Sequence, residues 1–297
     1  MDADARRFLD DLAEQGGPTW PELGVGPARE VFASLTALFE TGPELQSVED
    51  RTVAGVPCRA YLPAGASGTL VYFHGGGWVL GDLDTHDAMC RRLADAGRFA
   101  VVSADYRRPP EAAFPVPLDD CVAVTAAVFG NGAGELPVGR VTLGGDSAGG
   151  NLAAGVRVAT GDRFDIAGLA LLYPVLDASM GAGSYREFAD GHGLTADAMA
   201  WFWSNYVGRG GTDDPRADLA NASVNDFPPT LVTTCGHDVL RDEGRAFVGR
   251  LRDAGRAVEH LEHADQIHGF MHFTGAVPAG RAALAEVAAR VRAMLDA

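Results

Sequence analysis

Length, composition and charge bound the classes of protein that this sequence can encode. The chain has 297 residues, enough for one large α/β domain or two small ones. Of these residues 47% are hydrophobic and 22% are charged, which is ordinary for a globular protein. Its net charge of −16 argues against nucleic acid and anionic membranes as partners. We see no secretory signal, no run of roughly 18 apolar residues and no paired cysteine motif. These features favour a cytoplasmic protein with reduced thiols, no metal site and no membrane span.

Helical and extended patterns follow one another along the chain in a regular order. Residues 1 to about 45 are predicted to be helical, and one apolar face of this segment carries Val31, Phe32, Leu35, Leu38 and Phe39. Two short strands follow from about residue 47, and six apolar strand runs then alternate with helical stretches. The alternation predicts a mostly parallel eight-stranded sheet with helices on both faces. Ligands of such sheets bind at the carboxyl ends of the strands.

One long segment, residues 177 to about 226, interrupts this alternation. It contains a predicted helix, "TADAMAWFWSNYV", and one apolar face of that helix carries Met199, Phe202, Trp203 and Tyr206. Either this face only packs the helix onto the domain, or Phe202, Trp203 and Tyr206 also line a substrate pocket. The same two interpretations apply to Trp78, which follows a glycine-rich loop.

The sequence "RVTLGGDSAGGNLAAG" places a serine between a predicted strand and a predicted helix. Gly145, Ser147 and Gly149 form the G-x-S-x-G pattern, whose serine is exposed at the top of a sheet on a sharp turn. The amide of Ala148 lies in the first helical turn, where N–H groups lack partners. The pattern also fits a phosphate-binding turn or a simple helix cap, but the strand and helix on either side favour a nucleophile.

A serine nucleophile needs a base, which is normally histidine. In folds with this turn, an acid and then a histidine follow the serine, each in a loop after a later strand. His268 follows the predicted strand "AVEHLEH", and Asp238 follows "TLVTTCG". We therefore predict Ser147, Asp238 and His268 as a catalytic triad. The rival candidates for the acid are Asp242, Glu243 and Asp265.

The strand "TLVYF" ends at His74 and three successive glycines. In acyl transfer, backbone N–H groups stabilise the negative charge that develops on the carbonyl oxygen. Glycines allow the main chain to turn its amides toward the substrate, and this HGGG pattern is known in oxyanion holes. We predict that Gly76, Gly77 and Ala148 donate to the oxyanion, with Gly75 as a substitute donor. His74 is predicted to pin the loop by a hydrogen bond.

These motifs together resemble those of the hormone-sensitive-lipase-like family of α/β-hydrolases. The match includes "FHGGGW", "GGDSAGGNLA", "FPPTLVTTCGHDVLRDEG" and "IHGF". The resemblance implies an α/β-hydrolase fold, a Ser-Asp-His triad and no cofactor. It also implies a two-part helical cap, here residues 1–45 and 177–226, over a catalytic domain of residues 46–297.

The leading hypothesis from the sequence is a serine carboxylesterase for short- to medium-chain, fairly apolar esters. The same catalytic groups also fit an amide, lactone or carbamate hydrolase. A non-catalytic receptor for small molecules is the alternative from another class, but such relatives typically lose the base that this chain keeps as His268. The expected partners are a small ester substrate and, in a homodimer, a second copy of the chain.

Overall fold

The computed structural model describes residues 1–35, 40–130, 132, 134, 136 and 139–297. Within these residues, the α-helices are α1 Ala3–Gln15, α2 Trp20–Leu23, α3 Val25–Ser34, α4 Asp87–Gly97, α5 Val116–Phe129, α6 Ala148–Thr160, α7 Ser184–Glu187, α8 Ala196–Val207, α9 Arg241–Asp253 and α10 Ala279–Asp296. The strands are β1 Ser47–Val53, β2 Val56–Leu62, β3 Thr69–Phe73, β4 Ala100–Ala104, β5 Val141–Asp146, β6 Ile166–Leu172, β7 Thr230–His237 and β8 Val258–Ile267. None of the described helices is long and apolar enough to cross a membrane.

The sheet agrees with the arrangement predicted from the sequence. Its strands lie in the order β1-β2-β4-β3-β5-β6-β7-β8. The pairs β1–β2 and β2–β4 are antiparallel, and the remaining pairs are parallel. The carboxyl ends of β5, β7 and β8 therefore lie at the same edge of the sheet. The fold is the α/β-hydrolase fold predicted from the resemblance.

Helices cover both faces of the sheet because successive strand residues point to opposite sides. Val71 and Phe73 of β3 belong to a core that includes buried residues of α5, α6 and α9. Leu70 and Tyr72 belong to a second core that includes buried residues of α4 and α10. All five residues of β3 are buried, as expected for a central strand.

The two segments outside the alternation form short helices. In the first, the three helices end at Ser34, and residues 40–46 have no regular structure. Val31, Phe32 and Leu35 of the predicted apolar face are described, whereas Leu38 and Phe39 lie outside the described residues. In the second, the predicted apolar face of α8 is buried.

Strand β8 is longer than the sequence pattern predicted. It continues to Ile267, so Asp265 lies within the strand and not in the following loop. The pairing of β7 with β8 shifts register between Cys235 and His237, and the shift brings His237 opposite Ile267. At Gly236, an added Cβ would lie 1.9 Å from the Ala264 oxygen, so only glycine permits this close approach. The longer strand places His268 directly after its last residue.

The close contact of α6 with β3 yields a prediction about stability. An added Cβ at Gly149 would lie 1.9 Å from the Phe73 oxygen, and backbone cannot move aside as a flexible side chain does. We expect Gly149→Ala to lower the free energy of unfolding by about 1–3 kcal/mol or more. Gly249→Ala is the control, because this α9 position has no atom within 4 Å of the added Cβ. It should stabilise the helix by about 0.5–1 kcal/mol, measured by chemical denaturation. Equal effects at the two positions would contradict the close packing of Gly149 against Phe73.

Candidate active site

Ser147 lies on a strained turn between β5 and α6. Its φ of 54° is a conformation that non-glycine residues rarely adopt, and its side chain is largely buried. The turn is tight because glycines precede and follow it. An added Cβ at Gly145 would lie 2.3 Å from the Phe73 oxygen, similar to the close approach at Gly149. The local sequence thus forces the serine to the carboxyl edge of the sheet.

Three side chains from separate loops form a chain of hydrogen bonds at this edge. His268 Nε2 lies 3.0 Å from Ser147 Oγ, and His268 Nδ1 lies 2.8 Å from Asp238 Oδ2. Asp238 is buried, and its other oxygen accepts a hydrogen bond from the Leu240 amide at 2.9 Å. The ring of Tyr173 packs edge-on against the imidazole, with 4.9 Å between ring centroids. The structure thus brings together the three residues predicted from their order along the chain.

The rival carboxylates lie in other contacts. Asp242 accepts a hydrogen bond from the Ser184 amide at 2.9 Å and pairs with Arg241. Glu243 is buried and accepts from the Leu176 amide at 2.7 Å. Asp265 is exposed within β8. Of the four candidates, only Asp238 has a hydrogen bond to His268 within the described residues.

The three glycines after His74 have different roles. The Gly75 amide donates to Asp146 Oδ1 at 2.9 Å, and an added Cβ at Gly75 would lie 2.3 Å from Asp146 Oδ2. This amide is therefore occupied, which corrects the prediction that Gly75 can serve as a substitute oxyanion donor. Gly76 and Gly77 have φ values of 95° and 58° and line the cavity beside the serine.

Three backbone amides near the serine are free to bind a ligand. Within the described part of the chain, the amides of Gly76, Gly77 and Ala148 donate to no protein acceptor. Ala148 is the first residue of α6, where the helix dipole favours negative charge. An anionic oxygen above Ser147 is the ligand that this set of donors suits.

Asp146 is a buried carboxylate next to the serine, and no sequence motif indicated its role. Its Oδ1 accepts hydrogen bonds from the Tyr72 hydroxyl at 2.7 Å and from the Gly75 amide, and His86 Nε2 lies 3.5 Å away. Burial would raise the pKa of Asp146, but the charge of His86 and these hydrogen bonds hold it below its ordinary value. The carboxylate thus fixes the start of the glycine loop. No spacing in the sequence indicates the contact with His86.

Three histidine rings lie side by side behind the glycine loop. The centroids of His86 and His272 are 4.3 Å apart, and those of His74 and His86 are 5.4 Å apart. His74 stacks on Tyr106, and its Nδ1 lies 2.8 Å from the Gly75 oxygen. His74 therefore pins the loop as predicted.

A cavity of about 230 Å³ opens above Ser147 and His268. Its apolar wall comes from three parts of the chain: Phe8, Leu12, Trp20, Val31, Phe32 and Leu35 of the N-terminal segment, Leu194 and Phe202 of the insertion, and Leu80, Ile267 and Phe273 of the sheet domain. We call this space the site cavity. The sequence did not predict most of the residues in this wall. The apolar face of residues 31–35 was the pattern that indicated part of it.

The predicted pocket residues separate into two groups. Phe202 lines the site cavity, and its ring occupies the place where a Cβ at Gly77 would lie, 2.2 Å away. Trp78, Trp203 and Tyr206 do not line it, so the interpretation of these three as substrate-binding residues was wrong and the packing interpretation applies to them. Trp78 stacks on Tyr206 at 4.3 Å and contacts Trp203 at 4.6 Å between ring centroids. The three rings are buried because they pack α8 onto the domain.

The fold and this arrangement define a class of protein. A family model described as the alpha/beta hydrolase fold matches residues 70–272. The chain therefore belongs to the α/β-hydrolase family, in agreement with the resemblance of its HGGG and GDSAGG motifs.

Individual relatives match most of the chain or nearly all of it. Carboxylesterase NlhH of Mycobacterium tuberculosis is 36% identical over 99% of this chain and 98% of its own length. Carboxylic ester hydrolase LipN of the same organism is 38% identical over 81% of this chain and 69% of its own length. Among solved structures, the ester-hydrolase EH1AB1 from the metagenome of Lake Arreo is similar, with a TM-score of 0.94, 35% identity and 100% of both chains covered.

The buried histidines predict that the protein loses stability in acid. Burial, and then the charge of His86, lower the pKa of both His74 and His272 to about 3 from an ordinary 6.5. Between these values the unfolded chain binds protons that the folded chain does not. The free energy of unfolding therefore falls as the pH falls from about 6.5 toward 3.

A variant isolates the contribution of one histidine. His272→Gln keeps a donor for the Thr85 oxygen, which His272 Nε2 contacts at 2.7 Å. We expect it to reduce the slope of unfolding free energy against pH by up to about 1.4 kcal/mol per pH unit. Urea denaturation at several pH values measures the slope, and identical slopes in both proteins would contradict the assignment.

Proposed function

We propose that the protein is a carboxylic ester hydrolase that forms a covalent acyl-enzyme on Ser147. The observation that carries this proposal is the chain of hydrogen bonds from Asp238 through His268 to Ser147, beside an apolar cavity and three free backbone amides. The relatives named as carboxylesterase, carboxylic ester hydrolase and ester-hydrolase support the same reaction.

Acylation begins with attack of Ser147 Oγ on the ester carbonyl carbon. His268 Nε2 accepts the serine proton and then donates it to the leaving alcohol. Asp238 accepts the Nδ1–H hydrogen bond, so it holds the required tautomer of His268 and stabilises the imidazolium that forms. Since Asp238 is buried, its interaction with the imidazolium is weakly screened by water.

The tetrahedral intermediate carries negative charge on the former carbonyl oxygen. We assign its stabilisation to the amides of Gly76, Gly77 and Ala148, each worth roughly 2.7–4 kcal/mol in such sites. Water then attacks the acyl-enzyme, with His268 as the base, and releases the acid.

The site cavity favours short- to medium-chain esters with about two to eight carbons in the acyl chain. Each methylene buried against its apolar wall adds up to roughly 0.8 kcal/mol of binding free energy. The cavity has a finite volume of about 230 Å³, so longer chains must clash or extend into water.

We assign residues 1–45 and 177–226 to a cap over a catalytic domain of residues 46–297. Both segments contribute side chains to the wall of the site cavity, for example Phe8 and Phe202. We also keep two proposals from the sequence, a cytoplasmic location and assembly as a homodimer. The four cysteines are free and buried, which is compatible with a reducing compartment.

Replacement of the nucleophile gives the most direct test. Ser147→Ala should remove nearly all hydrolysis of p-nitrophenyl acetate. The remaining rate should exceed that of the uncatalysed reaction in water by at most a factor on the order of 10³–10⁴. The circular dichroism spectrum should be unchanged, because the hydroxyl contributes little packing. Substantial turnover in a folded Ser147→Ala protein would reject the proposed mechanism.

Two isosteric variants test the acid. Asp238→Asn should lower kcat by a factor of roughly 10³–10⁴, because an amide at this position favours the wrong tautomer of His268. Asp265→Asn, on an exposed carboxylate in β8, is the matched control and should keep kcat near the wild-type value. Steady-state kinetics on one ester compares the two. A severe loss in Asp265→Asn with normal activity in Asp238→Asn would move the acid to Asp265.

A further inference from the structure

A second cavity lies next to the site cavity, between the N-terminal helices and the start of α8. Its volume is about 190 Å³. None of the residues around it carries a charge; they are Pro18, Thr19, Trp20, Leu23, Val31, Gly193, Thr195 and Ala198. The hydroxyl of Thr19 bonds to Glu22, and that of Thr195 accepts from the Ala198 amide. The cavity therefore suits an alkyl chain and not a charged group.

The two cavities share part of their lining. Trp20, Val31 and Gly193 line both of them, so these residues form the wall between the two spaces. Gly193 has no side chain, and Val31 is 39% exposed. Trp20 therefore supplies most of the bulk of the wall.

The position of Trp20 is fixed from two sides. Its ring packs edge-on against Phe32, which lines the site cavity, with 6.3 Å between ring centroids. Its backbone begins α2, where Thr19 and Glu22 form a capping box, and the Thr19 amide donates to Glu22 at 2.8 Å. The indole thus packs on Phe32 from a backbone segment that the capping box stabilises.

We propose that Trp20 is a specificity-determining residue that sets the maximum length of the ester chain. Its indole closes the site cavity on the side of α2, and the space behind it takes the end of a longer acyl or alkoxy chain once the indole is removed. This inference rests on the proposed ester hydrolysis and adds which residue limits the substrate.

The experiment compares chain-length profiles of kcat/KM in Trp20→Ala and wild type. One series varies the acyl chain of p-nitrophenyl esters, and a second varies the alcohol of alkyl acetates. In one of the series we expect the optimum to move to longer chains, with a gain of about fourfold per added methylene that enters the second cavity. Leu23→Ala is the matched control, because Leu23 lines the second cavity and not the site cavity, and it should leave the profile unchanged.

Refilling the second cavity distinguishes this proposal from general loosening of the cap. The double variant Trp20→Ala/Leu23→Trp should lose the gain on long chains. If it keeps that gain, or if folded Trp20→Ala has the wild-type profile in both series, the proposal is overturned. Should Trp20→Ala not fold, Trp20→Leu carries the same test with a smaller shift.

The outcomes separate the two proposals. Wild-type protein that hydrolyses short esters through Ser147, with no shift in the Trp20 variants, overturns only the role of Trp20. Wild-type protein inactive on both series overturns the ester hydrolase function and the role of Trp20 with it.

Discussion

The arrangement of the site depends on the direct contact of backbone with backbone where α6 lies on the end of β3. An added Cβ at Gly149 of α6 would lie 1.9 Å from the Phe73 oxygen, and one at Gly145 of β5 would lie 2.3 Å from it, so no side chain fits between the end of β3 and either segment. Because β3 leads into the glycine loop and α6 begins after Ser147, this contact fixes the distance between the free amides and the serine. A preorganised oxyanion site requires such rigidity, since its dipoles must already be oriented when charge develops.

Two buried carboxylates serve different purposes in this small region. Burying a carboxylate is costly unless hydrogen bonds or opposite charges compensate for its lost hydration. Asp238 is compensated by His268 and the Leu240 amide, which leaves it able to stabilise an imidazolium. The buried charge of Asp146 is compensated by hydrogen bonds from Tyr72 and Gly75 and by nearby His86. These contacts fix the glycine loop, which takes no part in proton transfer. The surroundings of each carboxylate, and not its residue type, decide its role.

Local patterns in the sequence were sufficient to predict the sheet and the proximity of Ser147, Asp238 and His268. Each of these residues follows a strand, and parallel strands end at one edge of the sheet. Contacts across the fold could not be predicted in this way. The occupied amide of Gly75 depends on Asp146 from another strand, and the length of β8 depends on a register shift in its pairing with β7. The apolar pattern of α8 likewise does not distinguish a cavity wall from a core, since Phe202 and Trp203 lie on one helical face but only Phe202 reaches the site cavity.

The contact of Phe202 with Gly77 couples the insertion to the glycine loop. A Cβ at Gly77 would lie 2.2 Å from the Phe202 ring, so a side chain at position 77 and an aromatic ring at position 202 exclude each other. Phe202 is also part of the site cavity, where it limits the space for the substrate. The residue that shapes the cavity thus also requires glycine where we place an oxyanion donor. Cavity shape and oxyanion geometry are therefore physically linked at this contact.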